Sequence, residues 1–278
     1  MLNKIAGMNI TYFRYSLEYF IQSMKRLDIT NIELWGGAPH FFVEDQNHYK
    51  IKQLLNIIKQ NKINLICFTP EQCIYPYDLS SDDEMLRNRT INYFSKCIDI
   101  CNSLEVEKMV ITSGLGRKDI DNKVSWKYSQ EGLYFLAKKA ESNGVYLMLE
   151  PLSRYESNTV TNKNKLKKMI AEIDNFYIKP MVDTIPMFLE KETLEDYFNE
   201  FQEDLQHIHL IDTQNYTYDH LAWGDGVLNL ENYLNTIKSF KYEGYMTLEI
   251  IGDQYMEHPE KAFKKSIEEI KKIENQQF

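Results

Sequence analysis

The feature that most restricts this chain is a repeating alternation: short β-rich runs give way, from one end to the other, to longer stretches of helical period. Parallel strands joined by crossover helices produce that pattern. The runs predict strands over 4–10, 31–35, 63–69, 108–112, 145–150, 178–183, 206–212 and 245–250, eight in all, with as many helices. Several, such as Val145-Tyr-Leu-Met-Leu-Glu150, are nearly continuous apolar runs, as strands covered on both faces must be. Between Tyr49 and Asn61, Ile51, Leu54, Leu55, Ile57 and Ile58 mark one apolar stripe with Lys and Gln opposite, which suits a helix packed on a sheet.

Helix ends carry their own signals. Ser80-Ser81-Asp82 precedes a predicted helix over 82–104, with Asp83 and Glu84 in its first turn, and Pro259 opens another over 259–273. Gly144 and Gly244 each precede a strand and suit left-handed caps. No Pro/Gly/Ser-rich linker, short repeat or change of composition divides the chain, so the expectation is one α/β domain over 1–278, a closed (β/α)8 barrel. The competing open, doubly wound sheet would usually show a Gly-rich phosphate loop after an early strand, and none is present.

Composition narrows the function classes. Acidic residues outnumber basic ones 41 to 32, a formal charge of -9 that repels a phosphate backbone, so nucleic acid is not an expected partner. Cys67, Cys73, Cys97 and Cys101 form no Cys-x-x-Cys pair and read as free thiols. No run of 18 apolar residues and no signal-peptide pattern occurs, so neither a membrane nor secretion is expected, and a cytoplasmic location is.

In such a barrel the working residues stand at the C-terminal ends of the strands. Glu150 ends the fifth in Leu-Met-Leu-Glu-Pro, Asp183 the sixth in Pro-Met-Val-Asp-Thr and Glu249 the eighth in Met-Thr-Leu-Glu, while His209 lies in His-Ile-His-Leu of the seventh. Each has a plainer reading: Asp183 could cap the next segment, His209 could be a core imidazole, and either Glu could pair with a Lys. His207 shares a face with His209 and competes for the same role; strand-end position favours His209. Three carboxylates and an imidazole at one mouth would repel strongly without a cation. The donor set suits Mn, Co, Mg, Ni or Zn, with Mn preferred. A divalent metal beside two glutamates fits proton removal next to a carbonyl: the cation polarises the ketose carbonyl and holds the enediolate while Glu150 and Glu249 remove and return the proton.

At these positions the chain resembles the xylose-isomerase-like barrel superfamily of sugar isomerases and epimerases, whose metal site is Glu, Asp, His, Glu on strands five to eight. Longer blocks, Ile32-Glu-Leu-Trp-Gly-Gly-Ala-Pro-His40, Phe68-Thr-Pro-Glu71 with Tyr75-Pro-Tyr77, and Leu149-Glu-Pro-Leu-Ser-Arg-Tyr-Glu-Ser-Asn158, are similar to the branch that inverts carbon 3 of a fructosamine. The resemblance implies that Glu150 and Glu249 are both metal ligands and catalytic, that Asp183 and His209 are ligands only, and that Glu156 and His220 contact substrate. Glu33, Trp35, His40, Glu71 and Tyr75 are expected near the mouth, where they could receive an amino-acid portion of the substrate. Two departures disfavour free ketohexoses: Pro186 stands where those epimerases carry a His, and residues 210–222 contain no Arg. The remaining alternatives are an aldose–ketose isomerase, a sugar-phosphate epimerase, a related endonuclease that six histidines cannot supply with three zinc ions, and an inactive sugar-binding barrel. The expected partner is a small sugar or fructosamine, with a homo-oligomer plausible.

Overall fold

The structure, a computed structural model, describes residues 1–73, 76–215 and 217–276. Nine parallel strands form one sheet: β1 (Ile5–Met8), β2 (Asn31–Gly36), β3 (Asn64–Pro70), β4 (Lys108–Thr112), β5 (Tyr146–Glu150), β6 (Ile178–Pro180), β7 (Val182–Asp183), β8 (His207–His209) and β9 (Tyr245–Leu248). The order is β6-β5-β4-β3-β2-β1-β9-β8-β7, and its two edges are consecutive in the chain. The expected sixth strand is thus two pieces. β6 pairs with β5 up to Leu149↔Pro180, and β7 pairs with β8 from Val182↔Ile208. Pro180 has no N–H to donate, and at Met181 the chain changes partner. Met181 N–H still reaches Leu149 O, at 3.3 Å, so the wall closes into an eight-position barrel.

Nine α-helices occur among the described residues, one more than expected: α1 (Leu17–Arg26), α2 (His48–Asn61), α3 (Glu84–Ser103), α4 (Asn122–Asn143), α5 (Lys163–Ile173), α6 (Thr184–Leu189), α7 (Leu194–Phe201), α8 (Leu230–Ser239) and α9 (Pro259–Gln276). The addition is α6, a short turn between β7 and the barrel helix α7. Side chains accepting backbone N–H groups begin several helices: Asn47 takes Lys50 N for α2, and Asp83, rather than Asp82, takes Met85 N and Leu86 N for α3. Gly144 caps α4 at φ 67° as expected. Gly244 does not, because α8 ends earlier and Lys241 takes the left-handed turn at φ 51°.

Strand alternation then sorts the side chains. Outward residues such as Ile32, Leu34, Leu147, Leu149 and Ile208 join the large core under the helices. Inward ones, Ala6, Cys67, Val110, Met148 and Met181, plug the barrel interior, and Ile66 joins them where the β2–β3 register slips by one residue. Above that plug the next inward positions are polar. Cys97 and Cys101 are buried on α3 beneath the helices, and none of the four cysteines is in a disulfide. No described helix is long and apolar enough to cross a membrane.

Candidate metal centre and active-site cleft

Glu150, Asp183 and His209 are the last residues of β5, β7 and β8, and Glu249 is the first past β9. The inward face that carries Met148 also carries Glu150 one pleat higher, and the face of His207 carries His209. One ligating atom from each of the four lies within 4.8 Å of the others. His209 Nδ1 sits 2.9 Å from Glu150 Oε1 and 3.0 Å from Glu249 Oε2, yet it is buried and forms no hydrogen bond. Asp183 also performs the plainer task, accepting Ile185 N–H at 2.7 Å to cap α6.

The charges here are in conflict. Burial pushes the Glu150 carboxyl up to about 7 against the pull of His209, and the charges of Glu249 and Asp183 add to the rise. Burial likewise lifts Asp183 to about 6, against His220 and His209. Burial opposes ionised Glu249 too, but His209 and His220 beside it hold that carboxyl below its usual range. For His209, burial disfavours the charged ring, and Glu33, Glu249 and Glu150 outweigh it, carrying the imidazole well above its ordinary value. Left to itself the cluster must take up protons to coexist. A divalent cation would replace those protons, and three carboxylates with an imidazole whose buried Nδ1 lacks a hydrogen-bond partner are a fitting donor set for one.

Beneath the cluster lies Glu33, fully buried on β2. It was expected at the mouth, but the inward face of β2 places it a layer deeper, out of reach of substrate. Its Oε2 accepts from His207 Nε2 at 2.7 Å and Thr247 Oγ1 at 2.5 Å. Its Oε1 accepts from His209 Nε2 at 3.1 Å and from Thr69 Oγ1. His207, the competitor for the ligand role, points its ring at Glu33 instead.

A cleft of about 550 Å³ opens over the four donors and is lined by Trp35, Glu71, Glu156 and His220 among the expected contacts. His220 Nε2 stands 3.6 Å from Glu249 Oε2 and 3.8 Å from Asp183 Oδ2. Trp35 Nε1 donates to Glu71 Oε2 at 3.0 Å, so each fixes the other in the wall. Glu156 Oε2 accepts Ser153 N–H at 3.2 Å and Ser153 Oγ–H at 2.7 Å, which shapes the loop after β5. His40 is absent from the cleft; its ring nitrogens bond Asn9 Nδ2 at 2.9 Å and Tyr15 O at 2.8 Å, and it lines a separate crevice. Tyr75 lies outside the described residues. Asp219 and Asp253, which sequence reasoning did not single out, also line the cleft. They sit on loops after β8 and β9 with no periodicity to flag them.

Residues 21–273 match the xylose isomerase-like TIM barrel family. The chain belongs to that family. Among curated proteins it is similar to fructoselysine 3-epimerase of Shigella flexneri, 28% identical over 260 residues that cover 94% of each chain. It is also similar to D-psicose 3-epimerase of Ruminiclostridium cellulolyticum, 30% identical over 202 residues, 69% of this chain and 65% of that protein. Among solved structures, the IOLI protein with a binding zinc atom superposes with a TM-score of 0.81 at 16% identity, covering 99% of each chain. That likeness shows a shared fold.

Proposed function

We propose that this barrel is a metal-dependent epimerase that inverts carbon 3 of a ketose-type sugar, interconverting fructoselysine and psicoselysine. The carrying observation is that Glu150 and Glu249, from β5 and the end of β9, both bring a carboxylate oxygen to within 3.0 Å of His209 Nδ1. Glu150, Asp183, His209 and Glu249 would hold the ion, with Mn favoured over Co, Mg, Ni and Zn. A cation bound there supplies Lewis-acid polarisation of the ketose carbonyl. Glu249, held ionised by its imidazole neighbours, is suited to take the proton from carbon 3. Glu150, which burial makes easier to protonate, is suited to return one, and the reverse reaction exchanges the roles. His220, beside Glu249 and Asp183, is placed to orient a substrate hydroxyl, and Glu156 faces the same cleft.

The wall of the cleft favours an amine-bearing sugar. Among the described lining residues there is no Lys or Arg, while Glu71, Glu156, Asp219 and Asp253 add carboxylates beyond the metal donors. A phosphate would meet no Lys or Arg there, and a protonated amine would meet several carboxylates. Similarity to a named fructoselysine 3-epimerase supports the same substrate. We assign the protein to the cytoplasm, as a single-domain enzyme whose unpaired cysteines suit a reducing compartment.

Incubation of the manganese-loaded protein with fructoselysine in heavy water tests the reading. Inversion at carbon 3 places solvent deuterium at carbon 3 alone. Label at carbon 1 instead would mean an aldose–ketose isomerase and would sink the proposal, as would turnover that survives a strong chelator.

A further inference from the structure

Glu33 is an ionisable group at the centre of a barrel, fully buried and out of contact with the cleft. A carboxylate in that position is costly unless every lone pair is used. Here all are. Thr69 from β3 and His209 from β8 donate to Oε1, and Thr247 from β9 and His207 from β8 donate to Oε2. With two donors on each oxygen there is no place for a proton on Glu33 itself, so both imidazoles must bring theirs on Nε2. In a singly protonated ring the other nitrogen, His207 Nδ1 or His209 Nδ1, is then the one without a proton, and both are buried without a hydrogen-bond partner. For His209 that bare nitrogen is the one facing Glu150 and Glu249.

We propose that Glu33 is the positioning residue of the metal centre: by accepting the Nε2 proton of His209 it fixes which ring nitrogen is free to hold the cation, and turns that nitrogen toward the other donors. His207 and the two threonines hold Glu33 in register from three strands, so the carboxylate is a strut across the barrel interior. A carboxylate behind a ligating imidazole also makes the opposite nitrogen a stronger donor. The inference rests on the metal reading of the cluster, and its test separates the two.

The measurement is Mn2+ affinity, by electron paramagnetic resonance, for the wild-type protein, Glu33→Gln and Thr69→Val. Gln has one acceptor oxygen for the four donors that Glu33 satisfies, carries no charge behind the ring, and sets an N–H2 group against two of those donors, so Glu33→Gln should bind Mn2+ about 10- to 100-fold more weakly. Thr69→Val removes one donor but leaves the bond to His209, and should weaken binding far less. Affinity within about twofold of wild type in Glu33→Gln overturns the inference while leaving the metal site standing, given that such partners ordinarily matter about tenfold or more. Equal losses in Glu33→Gln and Thr69→Val would overturn it too, since packing rather than the bond to His209 would then be responsible. Absence of Mn2+ binding by the wild type overturns the metal reading itself and this inference with it. A second readout needs no variant: in 15N-edited spectra of the zinc-loaded wild type, His209 should carry a slowly exchanging proton on Nε2. A proton on Nδ1 instead would overturn the proposal even if Glu33→Gln fails to fold.

Discussion

The Nδ1 atom of His209 lies 2.9 Å from Glu150 Oε1, with both side chains buried. Such closeness is tolerable only where something positive intervenes, a proton or a metal ion.

That choice makes cation binding a competition with protons. Without the cation, burial raises the Glu150 carboxyl to about 7 and that of Asp183 to about 6. A carboxyl raised in the folded state costs nothing at low pH, where it is protonated folded or unfolded. The cost grows as pH rises past its unfolded value and is complete above the folded one. The contribution of these two groups to the metal-free fold should therefore turn unfavourable between about pH 4 and pH 7, and the metal, which binds the ionised groups, should relieve it. Thermal melts with and without Mn2+ should show a larger gain at about pH 8 than at about pH 5.5, with protons released on binding. A gain independent of pH would contradict the picture.

The four donors should separate by experiment into holders and carriers. Glu150→Gln and Glu249→Gln should each lower turnover by roughly a thousandfold at saturating metal, because each removes a proton carrier. Asp183→Asn keeps a good cap for α6 but removes a ligand charge, so its first effect should be weaker metal binding in a folded protein. Near-normal turnover in either glutamine variant would refute the two-glutamate scheme. Unchanged metal affinity in Asp183→Asn would remove Asp183 from the ligand set.

Asp219 and Asp253 line the cleft, are exposed, and pair with no cation among the described residues. The double change to Asn should raise KM for fructoselysine about threefold to tenfold, the scale of two exposed charge contacts, with kcat unchanged. KM for neutral psicose should not move. Equal effects on both sugars would mean that the aspartates shape the loops rather than meet the amine.

The strand ends were legible because a parallel strand is an apolar run, and a Glu or Asp that closes one stands out. Thr112, Glu150 and Asp183 accordingly end strands where their runs stop. Glu33 was harder to place. It shares Asn-Ile-Glu-Leu-Trp-Gly with Trp35, and nothing local says that the former faces a buried histidine 174 residues away while the latter faces the cleft. That distinction is one of depth along the barrel axis, set by how neighbouring strands are staggered. The break at Met181 was hidden for a similar reason: Pro180 hints at it, but the change of partner depends on where β5 stops and β8 starts. The aspartates of the cleft lie on irregular loops, where charge alone does not separate a substrate contact from a solvated surface.

The interruption at Met181 has a mechanical consequence. Paired register with β5 ends at Pro180 and pairing with β8 begins at Val182, with only the Met181 N–H to Leu149 O bond between, so Glu150 belongs to one lip of a seam and Asp183, His209 and the end of β9 to the other. An ion held by all four donors would span that seam as a clasp. Loading the site would then brace that joint, and hydrogen exchange at Met181 and Val182 should slow with it.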